Sequence, residues 1–408
     1  MKLFEDLKWR GLIKDITSPE LEEKLNNGGM TFYWGTDPTA DSMHIGHYSS
    51  LLMAKRLEMA GHHPIILVGG ATGLIGDPRP TTERPMITKE EVSHNFECLK
   101  KQIKSIFGYE VVNNFDWCKD INFIDFLRDY GKYFNVSYML SKDIIKRRLD
   151  EGITYTEFSY MIIQSLDFEH LYKEKGCIMQ AAGQDQWGNI TSGVELIRRK
   201  YGEEVYAFTM PLVTKKDGTK FGKSEGGALW LDKNKTSSYE MYQYLLNSED
   251  DTVIDYLKKL TLLTKEEIEK IEKEHNEAPH LRIAQKKLAE EIVRFLHGEE
   301  GVESALKITD ALFSGNIKDL TEEELKVALN GVTTEKINEE LNIVDMLVNT
   351  NILSSKREAR EFIGNGSISI NGEKINDLDM LVNKEKALYN KYIVVRRGKK
   401  KYYLVIFE

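Results

Sequence analysis

The sequence predicts an α/β protein built on a parallel sheet, followed by an α-helical domain and a small α+β module. Residues 30–36, MTFYWGT, are aromatic and β-branched and read as a strand. HYSSLLMAKRLEMAG then reads as a helix stopped by Gly61. HPIILVGG is a short, wholly apolar run, as expected of a strand buried on both faces. Strand, helix, strand is one βαβ unit, so the sheet is expected to be parallel. Ligands on such sheets bind at the carboxyl ends of the strands, which puts the loops 34–47 and 69–80 in view.

Further helices are expected over 89–107, 119–150, 157–174 and 190–201. GCIMQAAGQDQWGN reads as a strand leaving for a loop. From about 230 the character changes. SSYEMYQYLLN, DTVIDYLKKLTLL, TKEEIEKIEKEH and LRIAQKKLAEEIVRFLHG are successive amphipathic helices. Residues 321–342 are polar and weakly patterned and read as a linker. Beyond them, SSKREAREFIGNG, SISINGEKI and KYIVVRRGKKKYYLVIF give a helix and short strands joined by an Asn-Gly turn. The expected domains are therefore 1–228, 229–320 and 343–408, with the linker between the last two.

The chain has 408 residues and a net charge of −9, which excludes a protein coated in basic surface. Charge is uneven, however. Residues 350–408 hold 12 Lys+Arg against 7 Asp+Glu, a balance of +5, so the remainder carries −14. A basic C-terminal piece on an acidic body is either a local polyanion contact or a lysine-rich edge strand. The three cysteines, Cys98, Cys118 and Cys177, form no CxxC pair, which argues against a disulfide framework. The first residues, MKLFEDLKWRGLIKD, lack the apolar core of a signal peptide, and no apolar run is long enough to span a membrane. A cytoplasmic location with no membrane contact is the expectation.

Several short stretches could carry chemistry. In DSMHIGHYSS, His44 and His47 would share a helix face. Metal binding would want i,i+4 spacing and a third ligand, and no acidic residue stands in the right place. Core histidines remain possible. Gly46 between them lets a backbone or a ligand approach closely. A helix start after a parallel strand is also an anion site. VGGATGLIGDP (68–78) is a glycine-rich loop after a strand, either a tight turn or a ligand loop, with Asp77 placed to meet an ammonium. KKDGTKFGKSEGG (215–227) fails the P-loop spacing, because Asp217 stands where glycine is needed. What remains is a glycine-flanked loop with Lys215, Lys216, Lys220 and Lys223, either an exposed hairpin or a set of cations for a pyrophosphate leaving group. In EFSYMIIQSLDFEHLY, Tyr160, Gln164 and Asp167 form one stripe. Solvent faces favour Lys and Glu; phenol, amide and short carboxylate suit a pocket for a polar ligand.

Together these motifs resemble one family. HIGH at 44–47 and KFGKS at 220–224 resemble the two signatures of the class I aminoacyl-tRNA synthetases. FYWGTDPTADSMHIGH, GGATGLIGDP, EFSYMIIQSLD and GQDQWGNI resemble the bacterial tyrosyl-tRNA synthetases within that class, and SSKREAREFIGNGSISINGEKI is similar to a small RNA-binding module shared with a ribosomal protein. The resemblance spans nearly the whole chain. It implies a Rossmann-like catalytic domain. It also implies activation of L-tyrosine by ATP to tyrosyl-adenylate and pyrophosphate, then transfer to the 3′ end of tRNA(Tyr). Mg2+ would accompany the ATP, with no metal held by the protein, and the enzyme would be a homodimer.

The resemblance also implies roles. Tyr33 and Asp167 would bond the tyrosine phenol. Asp77, Tyr160 and Gln164 would bind its ammonium, with Gln180 and Gln186 near the amino-acid end. Thr39, His44 and His47 would contact ATP, Asp185 the ribose, and Gly35, Asp37, Gly46, Ser50 and Gly183 would line the nucleotide side. Lys220 and Lys223 would meet pyrophosphate, Tyr155 would lie at the dimer interface, and Lys356, Arg357 and Arg360 would contact RNA. There are departures. Trp34 stands where many bacterial members carry cysteine near the ribose, a contact an indole cannot copy. Ala181 and Ala182 replace a small pair often containing glycine, and Ser224 stands where threonine is common. A tryptophan-specific relative is disfavoured by the pair Tyr33 and Asp167. A nucleotidylyltransferase is disfavoured by the chain's length and C-terminal domains, and a silent RNA-binding paralogue by the intact HIGH and KFGKS.

Overall fold

The computed structural model describes residues 1–79, 85–150, 152–224, 227–398 and 401–408, without the side chains of Lys223 and Ser224. By its internal contacts the chain forms two compact units, residues 1–236 with 245–296, and residues 237–244 with 297–408.

The first unit opens with α1 (Leu3–Trp9) and is organised by a six-stranded sheet. Its strands are β1 (Asp15–Ile16), β2 (Thr31–Thr36), β3 (His63–Val68), β4 (Val111–Asn113), β5 (Cys177–Gly183) and β6 (Tyr206–Met210). Their order is β1-β6-β5-β2-β3-β4, parallel throughout except for β1, which runs antiparallel on the β6 edge. The expected βαβ unit is present as β2, α2 (Ile45–Met59) and β3. Chain order reverses between β2 and β5, so the crevice at their carboxyl ends is the switch point where α/β sheets bind ligands. Two longer helices border it, α3 (Lys89–Phe107) and α4 (Tyr155–Lys175), with α5 (Trp187–Tyr201) behind. Thr154 caps α4 through the Glu157 amide, and Gly176 ends it in the left-handed region that a side chain would strain.

The helix expected over 119–150 is broken into short pieces, among them Phe123–Asp125, Val136–Leu140 and Asp143–Arg148. The breaks follow local chemistry. Asn122 accepts from the Ile124 amide and Asn135 from the Tyr138 amide, so each side chain starts a new turn instead of continuing the old one. These pieces leave Phe123, Ile124, Leu127, Val136, Tyr138 and Leu149 exposed.

Helix α6 (Asp250–Leu260) belongs to the same unit, and its C-terminal carbonyls are held by two buried arginines. Arg56, near the end of α2, donates to the carbonyls of Lys258 and Lys259 at 3.2 Å each and to that of Thr261. Arg10 donates to Lys258 and Leu263, and Tyr48 Oη to Leu260 at 3.0 Å. A cation at a helix C-terminus meets both orphaned carbonyls and the negative end of the dipole. Burial and the nearby Arg10 lower the Arg56 pKa to about 9, still charged at neutral pH. Arg56→Met should cost about 3 kcal/mol, because hydrogen bonds to a charged group are lost and carbonyls stay buried. The first thermal transition should fall by roughly 6–12 °C, checked by calorimetry; an unchanged transition would refute the clamp.

In the second unit, a five-stranded sheet packs against helices. Residues 321–342, expected as a linker, hold α7 (Glu322–Ala328) and β7 (Thr333–Ile337). After α8 (Lys356–Gly364) come β8 (Ile368–Ile370), β9 (Glu373–Lys374), β10 (Tyr392–Arg397) and β11 (Lys401–Phe407). The order is β9-β8-β10-β11-β7, with β7 parallel to β11 and the others antiparallel. The stretch looks polar because α7 is two turns long and buries only Leu325, while β7 is an edge strand with mostly exposed side chains. Ile308 and Ala311 share a core with Tyr392, Val394 and Leu404, so the final helix turns and the sheet are one packed body. Among the described residues no helix is long and apolar enough to cross a membrane.

Candidate active site

The middle of β2 and of β5 carries the first candidate residues. Tyr33 on β2 and Gln180 on β5 are register partners, both buried. The Tyr33 hydroxyl is fully buried and makes no hydrogen bond of ordinary geometry among the described residues. Its pKa is raised by burial first, then by the Asp167 carboxylate. A buried neutral phenol that only the Gln180 side chain approaches is costly unless a polar ligand supplies a fuller partner.

Asp167 lies opposite on α4, buried. The stripe Tyr160, Gln164 and Asp167 therefore faces the sheet. Burial pushes the Asp167 carboxyl up to about 7, while hydrogen bonds from Asn114 and Trp117 pull the other way. Asn114 Nδ2 donates to Oδ2 at 3.0 Å, and Trp117 Nε1 to Oδ1 at 2.9 Å. Neither residue was picked out from the sequence. They follow β4, only three residues long, and the one available signal was the polar, aromatic run NFDW after it.

A chain of hydrogen bonds leads from Asp167 towards the loop after β2. Asn114 also donates to Thr72 Oγ1 at 3.0 Å. Thr72 Oγ1 donates to Asp37 Oδ1 at 2.6 Å, and Tyr160 Oη to Asp37 Oδ2 at 2.9 Å. Tyr160 thus pairs with Asp37. Asp77 accepts instead from Gln186 at 2.8 Å and Asn189 at 3.0 Å. The glycine-rich loop exists for this network: a Cβ on Gly69 would lie 2.0 Å from Thr72 Oγ1 and 2.5 Å from Asp37 Oδ1. Gly183, at the end of β5, likewise leaves room for Asp185, whose Oδ1 a Cβ would meet at 2.6 Å. Gln164 is half-buried, and Asp185 and Thr39 are exposed at the rim.

On the α2 side, His44 is the N-cap. Its Nδ1 accepts from the Gly46 amide, and His47 Nδ1 accepts from the His44 amide, both at 3.1 Å. Each ring therefore carries its neutral-state proton on Nε2, giving two N–H donors at a helix start. Burial, then His44, lowers the His47 pKa to about 3. A side chain on Gly46 would meet His44 Cε1 at 2.9 Å, so this glycine makes room for the imidazole itself. Gly35 and Ser50 lie nearby on the end of β2 and the first turns of α2.

The KFGKS loop docks on the same helix start. Leu229 N donates to the Gly222 carbonyl and Ile45 N to the Leu229 carbonyl, both at 2.9 Å, and His44 bridges to Trp230. Lys220 is exposed, and the Lys223 side chain lies outside the described residues. Among the described residues no three His, Cys, Asp or Glu side chains converge to hold a metal.

HIGH and KFGKS thus meet at the sheet's switch point, beside the buried polar side chains of Tyr33, Asp167 and Gln180. The family profile of tRNA synthetases class I (W and Y) matches residues 25–314. The chain belongs to the class I tRNA synthetases. A second profile, the tyrosine–tRNA ligase SYY-like C-terminal domain, matches residues 324–405. The tyrosine–tRNA ligase of Staphylococcus carnosus is 51% identical over 417 positions, covering 100% of this chain and 99% of that protein. Among solved structures, a C-terminally truncated mitochondrial tyrosyl-tRNA synthetase from Aspergillus nidulans matches with a TM-score of 0.68 and 31% identity, covering 76% of this chain and 94% of that one. Its Coccidioides posadasii counterpart gives 0.66 and 29%, over 75% and 91%. Of the remaining sequence-expected residues, Tyr155 belongs to the first unit and Lys356, Arg357 and Arg360 to the second. Tyr155 is exposed at the start of α4, and Lys356, Arg357 and Arg360 are exposed on α8.

Proposed function

We propose that this chain is a tyrosine–tRNA ligase that activates L-tyrosine with ATP and transfers it to tRNA(Tyr). One observation carries the specificity. The unpaired, buried Tyr33 hydroxyl and the buried Asp167 carboxylate are complementary to a phenol, which accepts from the first and donates to the second. A side chain without the hydroxyl would leave Tyr33 without that partner and Asp167 with only its bonds from Asn114 and Trp117.

Asp77, Tyr160, Gln164 and Gln186 receive the ammonium end, with Gln180 behind. The tyrosine carboxylate is already a nucleophile. It attacks the α-phosphorus of ATP, the new O–P bond forms, and the bond to pyrophosphate breaks; no general base is needed. The histidine Nε2–H donors and the backbone at the helix start hold phosphate and ribose oxygens, with Thr39, Asp37, Ser50 and Asp185 around them. Mg2+ accompanies the ATP, and Lys220 and Lys223 offset charge on the departing pyrophosphate. A terminal ribose hydroxyl of the tRNA then attacks the activated carbonyl and releases AMP. The exposed apolar residues between Phe123 and Tyr155 support a second copy of the chain as their cover, giving a homodimer.

Amino-acid-dependent ATP–pyrophosphate exchange tests the reading. Exchange should require tyrosine; faster exchange with tryptophan would overturn it. The α8 cations separate the two steps. The triple variant Lys356→Glu, Arg357→Glu, Arg360→Glu should leave exchange unchanged and raise the KM for tRNA about 10-fold or more in charging, with a shallower salt dependence. Equal loss in both assays would refute an RNA role for α8. Deleting 350–408 is a poorer test, because it strips the core shared by Ile308, Ala311 and the sheet.

A further inference from the structure

Trp34 lies beside Tyr33 on β2, and strand alternation turns the two side chains to opposite faces of the sheet. Tyr33 meets Phe168 of α4, with ring centroids 5.4 Å apart. Trp34 meets His47 of α2 at 6.4 Å, with the ring planes at 76°. The contacts continue outward. His47 stacks on His44 at 4.0 Å and 23°, and His44 meets Trp230 at 6.4 Å. Two imidazoles thus stand in a row between two indoles, and Trp34 is the inner end, only 4% exposed.

The row constrains what the histidines can do. The backbone takes Nδ1 of each ring, so only Nε2–H is offered outward. One hydrogen bond still leaves an imidazole free to swing about it. An indole set at 76° to the ring restrains that swing, and such aromatic pairs are favourable by about 0.5–1.5 kcal/mol beyond the area they bury. The same burial keeps the ring neutral, in line with the depressed His47 pKa.

We propose that Trp34 is a positioning residue for the nucleotide, its indole wedging the His47 ring so that the Nε2–H donor is aimed before ATP arrives. The proposal rests on the ligase reading above, because it takes the ligand at His47 to be ATP. If Trp34 were only filler between β2 and α2, its loss would disturb both substrates alike, since Tyr33 is its chain neighbour.

The test uses the full-length protein and the graded series Trp34→Phe, Trp34→Met and Trp34→Leu in tyrosine-dependent exchange. The KM for ATP should climb along the series to about 10-fold or more in W34L, while the KM for tyrosine stays within about 2-fold. W34F, which keeps an aromatic edge, should stay within about 3-fold for ATP. In 15N-histidine spectra of the wild type, one ring should remain Nε2–H through pH 5. In W34L, with less burial around it, that ring should take up its second proton at a higher pH than in the wild type. Parallel rises in both KM values, an unmoved ATP KM in W34L, or a His47 spectrum unaffected by the substitutions would overturn the proposal. If W34L does not fold, the W34F and W34M arms decide it by the same split. If the wild type itself shows no tyrosine-dependent exchange, the ligase reading fails, and the histidine spectra still report whether the wedge exists.

Discussion

Asp167→Asn should lower kcat/KM for tyrosine by about 10- to 100-fold while the KM for ATP changes little. The carboxylate is the acceptor for a phenol hydroxyl, and a hydrogen bond to a charged group contributes about 1.5–3 kcal/mol. The amide keeps the shape but loses the charge, and one of its two positions becomes a donor facing the Asn114 and Trp117 donors. The pH dependence has a definite sign. The native carboxyl titrates at about 7, well above the usual carboxylate range, chiefly because it is buried. Below about pH 7 the free enzyme holds a neutral acid that accepts a phenol less well, so the KM for tyrosine should rise as pH falls. Stability moves the other way. Between about pH 4 and 7 the native state keeps a proton that the unfolded chain has released, so this group makes the fold less stable as pH rises through that window. D167N should flatten both trends. Tyrosine kinetics in D167N that match wild type, or a KM–pH trend that survives the substitution, would remove Asp167 from the phenol site.

Gly222→Ala should slow adenylate formation by about 100-fold and leave tyrosine binding intact. Gly222 sits at φ +85°, where a side chain is strained, and a Cβ would lie 1.9 Å from Cγ2 of Ile45. Ile45 is buried and branched next to the backbone, so it has little room to yield. Ile45 is also the first residue of α2, directly after His44. The KFGKS loop is therefore seated on the HIGH helix by the absence of one methyl group. Pushing it away shifts Lys220 relative to the histidines, and a displacement of about 1 Å at reacting groups can cost about 10²-fold. Pre-steady-state pyrophosphate release, with equilibrium dialysis for tyrosine, checks this. A normal rate in G222A would mean that the loop finds its place by other contacts.

Much of the fold and part of the site were legible in the sequence, where the signal is local. The βαβ unit follows from an apolar run and a helix stopped by Gly61. The spacing of His44 and His47 suggests a shared helix face; in the structure His44 is extended and caps the helix, with His47 in its first turn. The stripe on α4 shows because helical spacing lines up Tyr160, Gln164 and Asp167 without any knowledge of what they face. HIGH and KFGKS, though far apart, are each complete within five residues. The false expectations were local too. The 119–150 stretch has helical composition, yet Asn122 and Asn135 restart the chain, and the supposed linker hides a short helix and an edge strand whose pairing partner, β11, lies some 70 residues on.

Only the tertiary structure decided the rest. That Tyr160 pairs with Asp37 and not with Asp77, that Asn114 and Trp117 hold Asp167, and that Gly222 rests on Ile45 are contacts across 50 to 180 residues of chain. No spacing rule reaches that far, because the partners meet only when separate strands end at one edge of one sheet. Trp34 shows the same division. Its sequence position said only that an indole stood where a small group was expected; its packing on His47, set by strand alternation and by where α2 begins, gives it a task.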